Sequence, residues 1–110
     1  MSVKQILCPD RLRRVPRQFS WVDQRLVRDR HIARLSHAAQ GLYLLLVTVA
    51  DAEGLSFYGD RSIGKLLRIE EAELSAARKQ LIETGLIAYR KPVYQVLSLS
   101  GCQRSEERRV

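Results

Sequence analysis

A chain of 110 residues, 45% hydrophobic and 28% charged, has the apolar content to bury one core; this excludes a disordered chain and leaves no room for two full domains. Its formal net charge of +7 favours polyanionic partners, nucleic acid or an acidic membrane surface. Cys8 and Cys102 stand far apart, with no C-x-x-C and no His at ligand spacing, which excludes a readable zinc site or disulfide framework and suits two free thiols in a reducing cytosol.

Residues 1–18, MSVKQILCPDRLRRVPRQ, combine Pro9 and Pro16 with a basic cluster and show no sustained period, which predicts an extended arm with at most a short turn. The positive field concentrates here. Residues 1–35 hold nine Lys/Arg against three Asp, whereas residues 36–85 hold five against seven acids. Arg11, Arg13, Arg14 and Arg17 can neutralise phosphates and release counterions, and a flexible basic arm can also enter a narrow minor groove. In the competing reading Leu12, Val15 and Phe19 fold back onto the domain and the arginines are simply solvated.

Residues 19–35 read two ways. Phe19 and Trp21 alternate like a short strand, while Leu26, Val27, Arg30 and Arg34 suit a helix started by Asp23. Ser36 then offers its oxygen to free amides, and a helix over Ala38 to Ala52 follows, stopped by the positive φ available to Gly54. Its stretch from Leu42 to Ala50 is apolar nearly all round, so either the rest of the domain covers it or it forms a seam with a second copy or a protein partner. That stretch is about half the length of a bilayer span, and no signal peptide opens the chain, so a cytoplasmic protein is expected.

Leu55 to Tyr58 reads as a short extended piece, and Asp60 is placed to cap a helix over Arg61 to Leu67. That helix would set Ile63, Leu66 and Leu67 inward and leave Arg61, Lys65 and Arg68 exposed. Beyond the Arg68–Ile69 joint, Glu70, Glu71 and Glu73 suit the positive end of a third helix whose Leu74, Ala77, Leu81 and Ile82 recur at steps of three and four. Gly85 ends it. LIAYRK and VYQVLSL, split at Pro92, predict a β-hairpin with Arg90 and Lys91 at its tip. The tail from Gly101 onward has little apolar content and is expected to fray.

This order over residues 36–99, with SIGKLL followed by ARKQLIETGLIAYR, resembles the winged helix-turn-helix superfamily, in the form common in bacterial transcription regulators and replication-initiator domains. The resemblance implies an α+β fold, a three-helix core with a C-terminal β-hairpin and an N-terminal extension: a basic arm over 1–18, a winged-helix domain over 19–100 and a flexible tail over 101–110. It also implies double-stranded DNA as partner, without cofactor, in transcription regulation or in replication of bacterial or mobile-element DNA.

A major groove about 12 Å wide admits one α-helix. With Leu74, Ala77 and Leu81 inward, helix 70–84 turns Ala72, Ser75, Ala76, Lys79 and Gln80 outward. Ser75 and Gln80 would meet base edges, Lys79 a guanine or a phosphate, and Arg78, between the faces, a phosphate. By the resemblance Arg61, Lys65 and Arg68 contact the backbone, as do Arg90 and Lys91 from the wing. The rival reading is a protein-interaction module whose acidic helix 70–84 faces a protein instead. His31 and His37 lack metal-ligand neighbours, and no G-x-x-x-x-G-K, H-E-x-x-H, G-x-S-x-G or paired catalytic carboxylates occur, so no metal, cofactor or enzymatic activity is expected.

Overall fold

A computed structural model describes residues 4–99. The expectation for the tail from Gly101 lies outside them. In chain order the elements are a 3-10 turn at Pro9–Arg11, α1 (Arg25–Arg28), a second 3-10 turn at Ile32–Arg34, α2 (His37–Val49), β1 (Leu55–Ser56), α3 (Asp60–Leu67), α4 (Glu71–Glu83), β2 (Ile87–Arg90) and β3 (Val93–Val96). The fold is α+β. The strands form an antiparallel sheet in the order β1-β3-β2, with Ser56 opposite Tyr94 on one side of β3 and Tyr89 opposite Tyr94 on the other.

The core lies where α2 crosses α4 against the sheet. Leu42, Leu46, Ile63, Leu74, Leu81, Leu86, Ile87 and Tyr94 are its largest fully buried side chains. The apolar helix α2 is mostly covered from within the chain, with Ala39, Leu42, Tyr43, Leu46 and Val47 buried and Leu44 left exposed. Leu66 and Ile82, expected on the apolar sides of their helices, are exposed.

Local chemistry sets the boundaries. The Ser36 hydroxyl accepts from the Ala39 amide at 3.1 Å, satisfying one free donor at the start of α2. The helix ends at Val49, short of the expected Ala52, because Asp51 organises a competing turn. Its carboxylate accepts from the amides of Glu53 at 2.8 Å and Leu55 at 2.9 Å, and its carbonyl accepts from Gly54. Gly54 does not cap α2. Its φ of +88° belongs to this turn, and its carbonyl accepts from Val96 on β3 at 2.9 Å.

Asp60 is likewise not a cap. Gly59 precedes α3, Asp60 is its first residue, and the Asp60 side chain makes no capping hydrogen bond. Arg68, with φ of 57°, turns the chain out of α3, and the Ile69 amide donates to the Gly64 carbonyl. Glu70 and Glu73 form a reciprocal capping box at the start of α4. At its other end the Gly85 amide donates to Ile82 and the Leu86 amide to Leu81, both at 3.0 Å, a two-bond closure that needs the left-handed residue glycine supplies.

The N-terminal part departs from one reading of the sequence. Phe19 and Trp21 form no strand. They flank Ser20, whose hydroxyl donates to the Thr48 carbonyl near the end of α2 at 2.8 Å. Asp23 does start a helix, its carboxylate accepting from the Arg25 amide at 2.9 Å. Hydrogen bonds from the Arg25 guanidinium and amide hold that carboxylate down to about 2. Residues 4–22 are exposed throughout, so Leu12, Val15 and Phe19 do not fold back onto the domain.

Two glycines test this account with opposite signs. At Gly54 an added Cβ would sit 2.8 Å from the Val96 carbonyl oxygen on a left-handed backbone, and Gly54→Ala should destabilise by about 1–3 kcal/mol. Gly41 lies inside α2, where a Cβ would meet only Leu67 at an ordinary 3.9 Å, and Gly41→Ala should stabilise by about 0.5–1 kcal/mol. Urea unfolding of the two variants reads both.

Candidate nucleic-acid interface

Helix α4 is held on three sides. An α-helix turns about 100° per residue, so Leu74, Ala77 and Leu81 define one buried line along it. Arg78 and Gln80 lie on either side of that line, and each is drawn into the molecule. The face left opposite consists of Ala72, Ser75, Ala76, Lys79 and Glu83, all exposed.

On one flank the Arg78 guanidinium donates to the Asp60 carboxylate and to the Tyr94 hydroxyl, both at 2.8 Å, and lies 4.6 Å over the Tyr89 ring. Tyr89 and Tyr94 face each other across β2 and β3 with centroids 4.4 Å apart. Four residues from α3, α4, β2 and β3 thus meet at one cation. Burial alone would lower the Arg78 pKa, but its hydrogen bonds to Asp60 and Tyr94 outweigh that and raise it. Burial likewise raises Tyr94, partly offset by the Arg78 hydrogen bond. The pair therefore stays cation and neutral phenol around neutral pH. Arg78, expected between the faces and toward a phosphate, is thus occupied by partners within the molecule.

On the other flank the Gln80 amide bridges to the entrance of α2. Its oxygen accepts from the Ser36 amide at 2.8 Å, and its nitrogen donates to the Arg34 carbonyl at 3.2 Å. Gln80, expected on the outer face with Ser75 and Lys79, is instead half-buried and turned toward the entrance of α2. One polar side chain secures an otherwise open donor and acceptor in a loop 44 and 46 residues away.

The remaining expected residues are solvent-exposed. Ser75 and Lys79 lie on the outer face of α4, beside small Ala72 and Ala76 that permit close approach. Arg61 and Lys65 project from α3 and Arg68 from its end, on the element that packs along α4. Arg90 ends β2 and Lys91 opens the tight turn that joins it to β3, so both occupy the hairpin tip.

Arg11, Arg13, Arg14 and Arg17 lie along the exposed arm. The arm is rooted by Ser20 at Thr48, whereas Gln80 touches Ser36 at the opposite end of α2, roughly 18 Å away at 1.5 Å rise per residue. The structure brings α3, the hairpin and α4 together, and roots the arm at the other end of α2.

Sequence reasoning missed Arg34. It is exposed in the 3-10 turn, and Gln80 holds its backbone carbonyl, which ties this cation's position to the α4 flank. Only the pairing of Gln80 with residues 34–36 reveals it, and no local pattern encodes a pairing across that separation. The glutamates also have a local role: Glu70 and Glu73 close the capping box, which accounts for two of the acids at the start of α4.

Among the described residues no group of three or more His, Cys, Asp or Glu side chains could hold a metal ion, and no helix is long and apolar enough to cross a membrane. No protein-family model, curated protein or solved structure matches the chain.

Removing the Arg78 head group should destabilise by about 1–3 kcal/mol, because it leaves a buried Tyr94 hydroxyl and a partly shielded Asp60 without their partner. Arg78→Lys should recover only part of this, since an ammonium lacks the planar fork that reaches two acceptors while stacking on Tyr89. Chemical denaturation of Arg78→Met and Arg78→Lys checks both statements.

Proposed function

We propose that the chain is a small winged-helix DNA-binding protein that lays the outer face of α4 in the major groove of duplex DNA, in transcription regulation or in replication of bacterial or mobile-element DNA. The observation that carries the reading is the state of that face. It is narrow, exposed and lined by Ala72, Ser75, Ala76 and Lys79, with Glu83 at its C-terminal end, and both of its margins are fixed to the body by Arg78 and Gln80. A helix fixed along both margins meets a groove without having to order itself first.

The element order and the β1-β3-β2 sheet support the winged-helix assignment, and the exposed cations support the partner. Arg61, Lys65 and Arg68 on α3, with Arg90 and Lys91 at the hairpin tip, are on elements that touch α4 or continue from one that does. In this reading they contact phosphates and set the register, while Ser75 and Lys79 face the base edges. The arm's Arg11, Arg13, Arg14 and Arg17 add sequence-independent attraction, reaching DNA by virtue of length.

One observation favours the second reading, a module that binds a protein instead. With Arg78 paired to Asp60, the charged groups left open on α4 are Lys79 against Glu71 and Glu83, so the helix itself is net acidic. DNA binding then depends on cations supplied from outside α4.

Fluorescence anisotropy with a random-sequence duplex distinguishes the two. Binding should be micromolar or tighter at low salt and should weaken steeply as salt is added. Lys79→Ala should reduce the salt slope by about one counterion, and Lys79→Glu combined with Arg90→Glu should weaken binding at least about tenfold with folding intact. A folded protein that shows no binding at low salt would instead fit the protein-interaction module.

A further inference from the structure

We infer that the chain forms a reciprocal dimer in which the N-terminal arm of each copy fills a cavity beside the arm's root on the other copy. The cavity has a volume of about 520 Å³ and opens where the end of α2 meets the Asp51 turn and the end of β3. Phe19, Trp21, Tyr43 and Val47 supply apolar and aromatic walls, and Asp51 and Glu53 stand on its rim. The other two charged groups there, Asp23 and Arg25, are joined to each other. The site is thus apolar and net acidic on a molecule that is strongly basic overall.

The arm has the complementary character. Residues 4–18 carry Lys4, Arg11, Arg13, Arg14 and Arg17 against the single acid Asp10. Among the cations stand large apolar side chains without cover: Leu12 is 56% exposed, Val15 77%, and at the root Phe19 is 64% and Trp21 74% exposed. A continuous exposed stretch of this kind marks an interaction surface. Phosphate backbones could satisfy the arginines but offer nothing to Leu12 and Val15. A partner must supply carboxylates and apolar walls together, and the cavity on this same chain does so.

The arm's own copy does not use it. The root residues Phe19, Ser20 and Trp21 form one wall of the cavity, and the arm leaves from there with Leu12 and Val15 still exposed. A second copy meets the need by symmetry. Val15 lies five residues before Ser20, which is roughly 17 Å of extended chain, so two roots within that distance let each arm cross into the other's cavity. Arg13 and Arg14 then reach Glu53 and Asp51, and an arginine can lie over the exposed face of Trp21. The contact is separate from α4; in the dimer Arg13 and Arg14 are taken up by the partner copy, which leaves Arg11 and Arg17 of the arm for a phosphate backbone.

Sedimentation equilibrium of the full chain without DNA tests it. The expected result is a reversible dimer of twice the 12.6 kDa chain mass. Leu12→Asp with Val15→Asp should weaken it at least about a hundredfold, because two side chains that make no fold contacts lose their burial in the partner. Glu53→Lys should weaken it about fivefold, as should Arg13→Glu with Arg14→Glu. Each of these two charge variants repels itself, but an equimolar mixture restores complementary charge at both cavities and should form a heterodimer. Circular dichroism checks that all variants are folded. A chain that stays monomeric to millimolar concentration overturns the inference, as does a dimer indifferent to the Leu12 and Val15 substitutions, or a mixture that fails to recover association.

Discussion

One guanidinium organises the half of the molecule on which the proposed function rests. Arg78 sits midway along α4 and reaches the first residue of α3 through Asp60, the last strand through Tyr94 and the preceding strand through Tyr89. An ion pair on a protein surface contributes little, and half of this one, Asp60, is substantially exposed. The arrangement gains from sharing: the cation meets a carboxylate, a phenol and a ring face at once, in a geometry only a planar fork can satisfy. Helix, joint and hairpin are thereby tied to one another by a polar contact in addition to the apolar core.

The opposite margin of α4 is held by a neutral group. Gln80 satisfies one donor and one acceptor of the loop that leads into α2, and the Ser36 hydroxyl caps that same helix. With Leu74, Ala77 and Leu81 buried between the two margins, α4 has a single face free. The helix is accordingly a poor source of cations, and positive charge comes from α3, the hairpin tip and the turn carrying Arg34. Position and charge are supplied by different elements.

Much of this layout was legible in the sequence, and the misreadings share a cause. Steps of three and four placed Leu74, Ala77 and Leu81 correctly because helix periodicity is local, and Gly85 and Ser36 marked helix ends because their chemistry acts within a few residues. By sequence Gln80 falls on the solvent face and Arg78 between the faces, and their actual partners are hidden because they lie 16 to 46 residues away. Asp60 looked like a helix cap for the same reason: an aspartate before an apolar run fits a cap until an arginine from another helix claims it. Gly54 was read as the end of α2, yet Asp51 had already stopped the helix with its own side chain. The apolar stretch of α2 left two coverings open, and only the tertiary arrangement shows that α4 and the sheet supply most of the cover.

The two ends of α2 thus serve different surfaces, α4 with its braced outer face at one and the arm root with its acidic cavity at the other. The central claim concerns the first surface, and backbone-amide NMR during titration with a short duplex tests it most directly. The account predicts that the largest shift changes fall on Ala72, Ser75, Ala76 and Lys79, with smaller ones at Lys65, Arg68, Arg90 and Lys91. Shift changes confined to residues 11–17, with α4 unmoved at saturation, would contradict it.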